Sequence, residues 1–337
     1  MFFASDNGAP ILPQVMEAMT RANHGYALSY GNDAAYGQMR DQIRDLFEAP
    51  QAEIALASTG TAANALALSL LTPPWGSVYC HSLAHIAVDE CGAPEFFTHG
   101  AKLQLIDGPH GRIAPEVLRN VLATADRSVQ AVQPSALSLS NVTELGTIYT
   151  AAESAVLASI AHLHGLKVHL DGARFSNALA ATGASPAEMT WRAGVDVLTL
   201  GGTKHGLFAA EIIVVFDPEN ARDLPYRLKR GGQTGSKLRF VAAQIQTWLN
   251  DGLWLETAQH CNDMAASLAE GLHQIEGVEI LDPVEANIIF ARLPQAAFAR
   301  AKAAGAVFYG NPQQSRFVSS WSTTQADVDA LLAALRG

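Results

Sequence analysis

Charge is scarce in this 337-residue chain: Asp, Glu, Lys and Arg make up 16% of it, against 49% hydrophobic residues. So thin a polar cover excludes a disordered polyelectrolyte and implies a large buried core, with a subunit interface buried as well. Basic residues are the minority, 22 against 32 acidic, for a net charge of −10. No basic run or aromatic-basic stripe offsets that deficit, which argues against a nucleic-acid surface. Cysteine is nearly missing. Cys80, Cys91 and Cys261 follow neither a paired nor a metal-ligand spacing, so free thiols in a reducing cytoplasm are expected, with a Cys80–Cys91 pairing left open. No apolar run reaches the length of a membrane span. Met1-Phe-Phe-Ala-Ser-Asp6 lacks the basic and apolar regions of a signal peptide, so a cytoplasmic protein with no membrane partner is expected.

What is present converges on Lys204. Val195 to Leu200 is apolar enough for a buried strand, and Gly201-Gly202 ends it before Thr203-Lys204. A cation just past a buried strand is costly to desolvate unless it is paired or neutralised. Upstream, Lys167-Val-His-Leu-Asp171-Gly-Ala-Arg174 is a second short strand that ends in a carboxylate and an arginine. Two such strands in one open sheet deliver both groups to the crevice at its carboxyl edge. A lysine and an aspartate presented together suit pyridoxal 5'-phosphate: the amine forms a Schiff base, and the acid keeps the ring nitrogen protonated. The glycines and Thr203 would let backbone amides and a hydroxyl approach the phosphate.

Strand-like and helix-like segments alternate along the chain, which predicts an α/β fold with a mainly parallel sheet covered by helices. The strand Glu53–Ala57, the loop Ser58-Thr-Gly60-Thr61 and a helix to Leu71 form either an anion site or a plain capped helix. A short helix over Leu83–Glu90 carries His85, which suits stacking or acid–base work in a cofactor crevice. His81 and His85 have no third partner at metal-ligand spacing, so no metal is expected. The segment from Tyr226 to Arg239 holds five cations among glycines. It is either a solvated helix end or a source of phosphate contacts, with Arg230 and Lys237 the candidates, in this subunit or an adjoining one. A helix from about Trp254 to Gln274 opens a C-terminal part of alternating short strands and helices. The division expected is an arm over 1–15, a large domain over 16–250 and a small α/β domain over 251–337.

These pieces resemble the threonine aldolase/β-eliminating lyase family of fold-type-I pyridoxal-phosphate enzymes, and in particular its bacterial low-specificity L-threonine and phenylserine aldolases. The carriers are Ser5-Asp6-Asn7, Ser58 to Asn64, Ala84-His85, Asp89 to Phe97, His169 to Asn177, Gly201 to Lys204 and Arg316 to Trp321. The resemblance implies a covalent link at Lys204, a salt bridge from Asp171 to the ring nitrogen and stacking by His85. It implies phosphate contacts from Gly60, Thr61 and Thr203, and a grip on the substrate carboxylate by Ser5, Arg174 and Arg316. The activity implied is cleavage of L-threonine, L-allo-threonine or L-phenylserine to glycine and an aldehyde, in a homotetramer with active sites at subunit interfaces. β-Elimination, dehydration or an aminotransferase-type proton shift are the rivals within the fold, and a non-catalytic module is the rival outside it. Where many members carry a histidine near residue 143, this chain has Thr143-Glu144, which leaves the β-substituent open.

Overall fold

The computed structural model describes residues 1–337. Seven strands build the larger sheet: β1 (Glu53–Ala57), β2 (Gly76–His81), β3 (Lys102–Ile106), β4 (Gln133–Ser140), β5 (Lys167–Gly172), β6 (Val197–Gly201) and β7 (Glu211–Val215). Their order across the sheet is β1-β7-β6-β5-β4-β2-β3. Neighbours from β3 through to β6 pair in parallel, whereas β7 runs antiparallel to both β6 and β1. The mainly parallel sheet is thus as expected, with one reversed strand inserted between the first and the sixth.

Apart from the edge strand β3, the strands are buried along almost their whole length because helices cover both faces. Leu198 and Leu200 of β6 join the core on one face with Leu170, Phe175 and Trp248. Val197 turns to the other face, against Ala63, Leu66 and Ala67 of the helix Gly60–Leu71. Gly201 ends β6 for a steric reason: a Cβ there would lie 2.7 Å from the Ala173 backbone. The predicted helix over Leu83–Glu90 is one turn, His85–Val88, because the chain enters left-handed backbone at Cys91 and Gly92.

A second sheet of four strands, β8 (Glu279–Ile280), β9 (Ile288–Arg292), β10 (Tyr309–Asn311) and β11 (Gln314–Val318), follows the helix Leu253–His273. Its core includes Leu268, Leu272, Phe317 and Leu331, and also Phe3 from the other end of the chain. The Phe3 amide donates to the Val307 carbonyl at 2.7 Å, and the Phe3 carbonyl accepts from Val318 at 2.8 Å. The first residues are therefore stitched into the C-terminal sheet. Cys80 and Cys261 are buried free thiols and Cys91 is an exposed one. No helix is long and apolar enough to cross a membrane.

Phe3 is fully buried, so Phe3→Ala leaves a cavity in the smaller core. A loss of about 3 to 5 kcal/mol is expected, read as a lower midpoint in urea denaturation.

Candidate active site

Parallel pairing brings the carboxyl ends of β4, β5 and β6 to one edge in register. Ser138 lies beside His169 and Ser140 beside Asp171, while His169 pairs with Val197 and Asp171 with Thr199. Strand alternation turns all these polar residues to one face. There the Ser138 hydroxyl and His169 Nδ1 are 2.9 Å apart. Burial holds the His169 imidazole down at about 4, against the pull of Asp171, so it is a neutral hydrogen-bonding group.

The helix Gly60–Leu71 crosses that face and contributes Asn64, the only side-chain amide in a mostly apolar helix. Asn64 Oδ1 accepts from the Thr199 hydroxyl at 2.6 Å. Its Nδ2 donates to Asp171 Oδ2 at 2.8 Å and to Glu90 Oε1 at 2.9 Å. Asp171 Oδ1 accepts from the Ala173 amide at 3.0 Å. Glu90 Oε1 also meets His85 Nδ1 at 2.9 Å. The His85 amide in turn donates to Glu144 Oε1 at 2.8 Å, which the Ser140 hydroxyl shares at 2.8 Å. Burial raises the carboxyl pKa of both Glu90 and Glu144. The Glu90 bond raises that of His85 against the opposing effect of burial.

Lys204 follows β6 in a short 3-10 turn. Burial, with the Arg174 charge beside it, lowers its pKa, and Asp6, Asp171 and Glu211 oppose that shift. Glu211 is brought close by the reversed strand: as the first residue of β7 it pairs with Gly201, the last of β6. Burial pushes its carboxyl up to about 7, resisted by the neighbouring Thr203 and Lys204. A desolvated amine is more often neutral and so a better nucleophile.

Arg174 clamps Asp6, Nε to Oδ2 at 2.6 Å and Nη2 to Oδ1 at 2.9 Å. Its bidentate fork is thus spent on the protein, and of the guanidinium nitrogens only Nη1 is left for a ligand. Asn287 Nδ2 donates to the same Asp6 Oδ2 at 3.2 Å. Burial works against the Asp6 charge, but Arg174 and Lys204 outweigh it and hold the carboxyl at about 2. Arg316, on β11, lies close enough for burial and Arg174 to lower its own pKa. It has no ion-pair or hydrogen-bond partner, so it is a guanidinium ready for an anion.

At the end of β1, Thr59 caps the helix Gly60–Leu71 by accepting from the Ala62 amide at 3.1 Å. The Gly60 and Thr61 amides have no acceptor, and nothing lies within 4 Å of where a Gly60 Cβ would sit. Two free amides at a helix N-terminus form an anion seat. The Gly202 amide, by contrast, is taken by the Ala210 carbonyl at 3.0 Å, so that glycine serves close packing and does not grip a phosphate. Ser5 accepts from the Asn7 amide at 3.2 Å, capping the turn that carries Asp6. His81 bonds the Gly108 carbonyl at 3.0 Å and the Leu83 amide at 3.1 Å.

Arg230 lines a cavity of about 740 Å³ with Phe96, Phe97 and Tyr226, and Lys237 precedes the helix Leu238–Leu249. Neither has an ion-pair partner. The loop between them is tied to Ser58 through Gln233 Oε1, which accepts from the Ser58 amide and hydroxyl at 2.9 Å each. The bonding roles of Asn64, Glu90, Asp6, Glu144 and Glu211 escaped the sequence reading. Asn64 alone carried a local signal, as a lone amide in a helix with no exposed face.

Architecture and site together define an α/β enzyme of fold type I, with a half-buried lysine at the carboxyl edge of its larger sheet. The Beta-eliminating lyase family model matches residues 3–296, and the chain belongs to that family. It is 41% identical over 336 residues to the low specificity L-threonine aldolase of Pseudomonas sp. (strain NCIMB 10558), covering 99% of this chain and 96% of that one. The solved Leishmania major threonine aldolase superposes with a TM-score of 0.93 at 27% identity, over 99% of this chain and 98% of the other. A serine palmitoyltransferase from S. paucimobilis, solved with bound PLP, superposes at 0.74 with 16% identity, over 100% and 86%. The last likeness shows the fold alone.

The Asp6 carboxyl falls from its ordinary 3.8 to about 2 on folding, which corresponds to about 2 kcal/mol of stability. With the folded value the lower one, this contribution is present above pH 4 and vanishes as pH falls through about 2. Asp6→Asn is expected to lose it at neutral pH and to show a shallower fall in stability from pH 4 to pH 2, measured by urea denaturation across that range.

Proposed function

We propose that this protein is a pyridoxal-5'-phosphate-dependent aldolase that cleaves L-β-hydroxy-α-amino acids, L-threonine among them, to glycine and an aldehyde. One observation carries the reading: Lys204, partly withdrawn from water, stands within electrostatic reach of Asp171 and Arg174, and Arg174 in turn neighbours the unpaired guanidinium of Arg316. The names of the relatives that match nearly end to end support it.

The residues fit that cofactor. The Gly60 and Thr61 amides, with the Thr203 hydroxyl, would hold its phosphate. Lys204 Nζ would supply the amine that holds its aldehyde, Asp171 would hold a proton on its ring nitrogen, and His85 would lie against the ring. When bound, the cofactor supplies the sink for the electron pair left on Cα as the Cα–Cβ bond breaks. Arg316 and the free Nη1 of Arg174 bind the substrate carboxylate. Fixing that group decides which bond at Cα is presented for cleavage. His85, or a water it orders, takes the β-hydroxyl proton as the Cβ–O bond becomes a carbonyl. A proton delivered to Cα then completes glycine.

The finer reading extends the substrates to L-allo-threonine and L-phenylserine. It is supported by the side chains at 143 and 144, which bond inward: Thr143 to Thr147 at 2.8 Å, and Glu144 to the His85 amide. It places Arg230 and Lys237 at the cofactor phosphate of an adjoining subunit in a cytoplasmic homotetramer. Exposed Leu28, Phe96 and Tyr226 support such subunit contacts. It also divides the chain at 15 and 250, as the two separate sheets suggest.

Purified protein given L-threonine and L-phenylserine is expected to release glycine with acetaldehyde or benzaldehyde. Release of a 2-oxo acid and ammonia would instead establish a β-eliminating lyase. Borohydride reduction is expected to fix the cofactor on Lys204 in peptide maps, and Lys204→Ala to lose activity by on the order of a thousandfold.

A further inference from the structure

His85 has two ring nitrogens in unlike surroundings. Nδ1 faces Glu90, whose side chain is fully buried, whereas the His85 side chain is 38% exposed and its Nε2 meets no protein group. The identity of the Nδ1 partner settles the tautomer. Asn64 Oδ1 is committed to the Thr199 hydroxyl, so its Nδ2 must face the carboxylates and donate both protons, one to Asp171 and one to Glu90. Glu90 Oε1, already accepting from that amide, presents lone pairs to His85, and the ring must donate from Nδ1.

We propose that Glu90 is a positioning residue for the aldol cleavage: it holds His85 in the Nδ1-protonated form, so that Nε2 is the atom that takes the β-hydroxyl proton. This rests on the aldolase reading and replaces its choice between the ring and a water with a named atom. The step balances as follows. The hydroxyl proton moves to Nε2, the O–H pair becomes the second bond of the carbonyl, and the Cα–Cβ pair stays on Cα, where the bound cofactor would supply its sink. Glu90 keeps its charge and Nδ1 keeps its proton throughout, so the imidazolium formed is stabilised where it arises. Glu90 Oε2 is buried without a partner, a cost that a packing role alone would avoid with an apolar side chain. The shared amide also ties the histidine's orientation to Asp171, and hence to the ring nitrogen that Asp171 serves.

The groups that act on the His85 ring are Glu90 and Asp171, which raise its pKa, and burial and Lys204, which lower it. Glu144 binds only its backbone amide. Replacing Glu90 by a neutral isostere removes the largest raising influence.

The test uses the holoenzyme. Glu90→Gln is expected to lower kcat roughly 10- to 100-fold, with KM for L-threonine and cofactor affinity within about threefold, and to move the acid limb of kcat/KM to lower pH. Carbethoxylation of His85 by diethyl pyrocarbonate, followed by peptide mapping against pH, is expected to show a midpoint above the ordinary 6.5 in the native protein and a lower one in Glu90→Gln. His85→Asn and His85→Asn/Glu90→Gln are expected to be equally active. An unmoved acid limb, or a second loss when Glu90→Gln is added to His85→Asn, overturns the proposal. If Glu90→Gln does not fold, the native protein still decides: a His85 that resists carbethoxylation, or a midpoint at or below 6.5, overturns it. The modification needs no turnover. A Glu90-dependent midpoint in protein that makes no glycine would therefore sink the aldolase reading and leave the Glu90–His85 pair standing.

Discussion

A lysine amine drawn partly out of water, so that its charged form is disfavoured, is the constraint from which the site follows. An isolated buried charge of that kind costs several kcal/mol, and here it is met by carboxylates from separate parts of the chain. Asp171 comes from the end of β5, Glu211 from the start of β7 and Asp6 from the arm. Arg174 stands on the other side of the balance and would overload the pocket with positive charge if Asp6 did not clamp it. The compensation is incomplete, because Arg316 has no counter-ion. Arg316 is therefore the one guanidinium of this group left without a bonded partner.

The frame of this arrangement was legible in the chain. Leu-Ser-Leu-Ser, His-Leu-Asp and Leu-Thr-Leu-Gly each alternate apolar with polar at a strand end, and side-by-side pairing turns those alternations into one polar face. Lys204 and Asp171 could be placed because both stand at the ends of short apolar strands. The helix Gly60–Leu71 was equally plain, with its cap at Thr59 and its uninterrupted run of helix-forming residues.

What escaped was whatever depends on strand direction or on distant meetings. A parallel β7 would have carried Glu211 to the far edge of the sheet. Reversal puts it next to Gly201 instead, and no local pattern announces a reversal. Asp6 and Arg174 are 168 positions apart, and nothing at either position names the other. Glu90 and Glu144 sit among turns, where side-chain direction follows backbone geometry and has no period to read. The glycines before Lys204 were noticed for the wrong reason: the Gly202 amide is occupied by Ala210, and Gly201 is small so that β6 can pass the Ala173 backbone.

The docking of Phe3 against Val307 and Val318 sets an order on assembly. Asp6 and Arg174 are both made before Asn287, which braces the clamp, and before the segments that anchor the arm at Val307 and Val318. Until then the nascent large sheet carries a lysine and an arginine without their shared counter-ion, and Phe3 has no apolar bed. The braced clamp therefore forms only once Val318 has been made, so that an upstream segment waits for a downstream one.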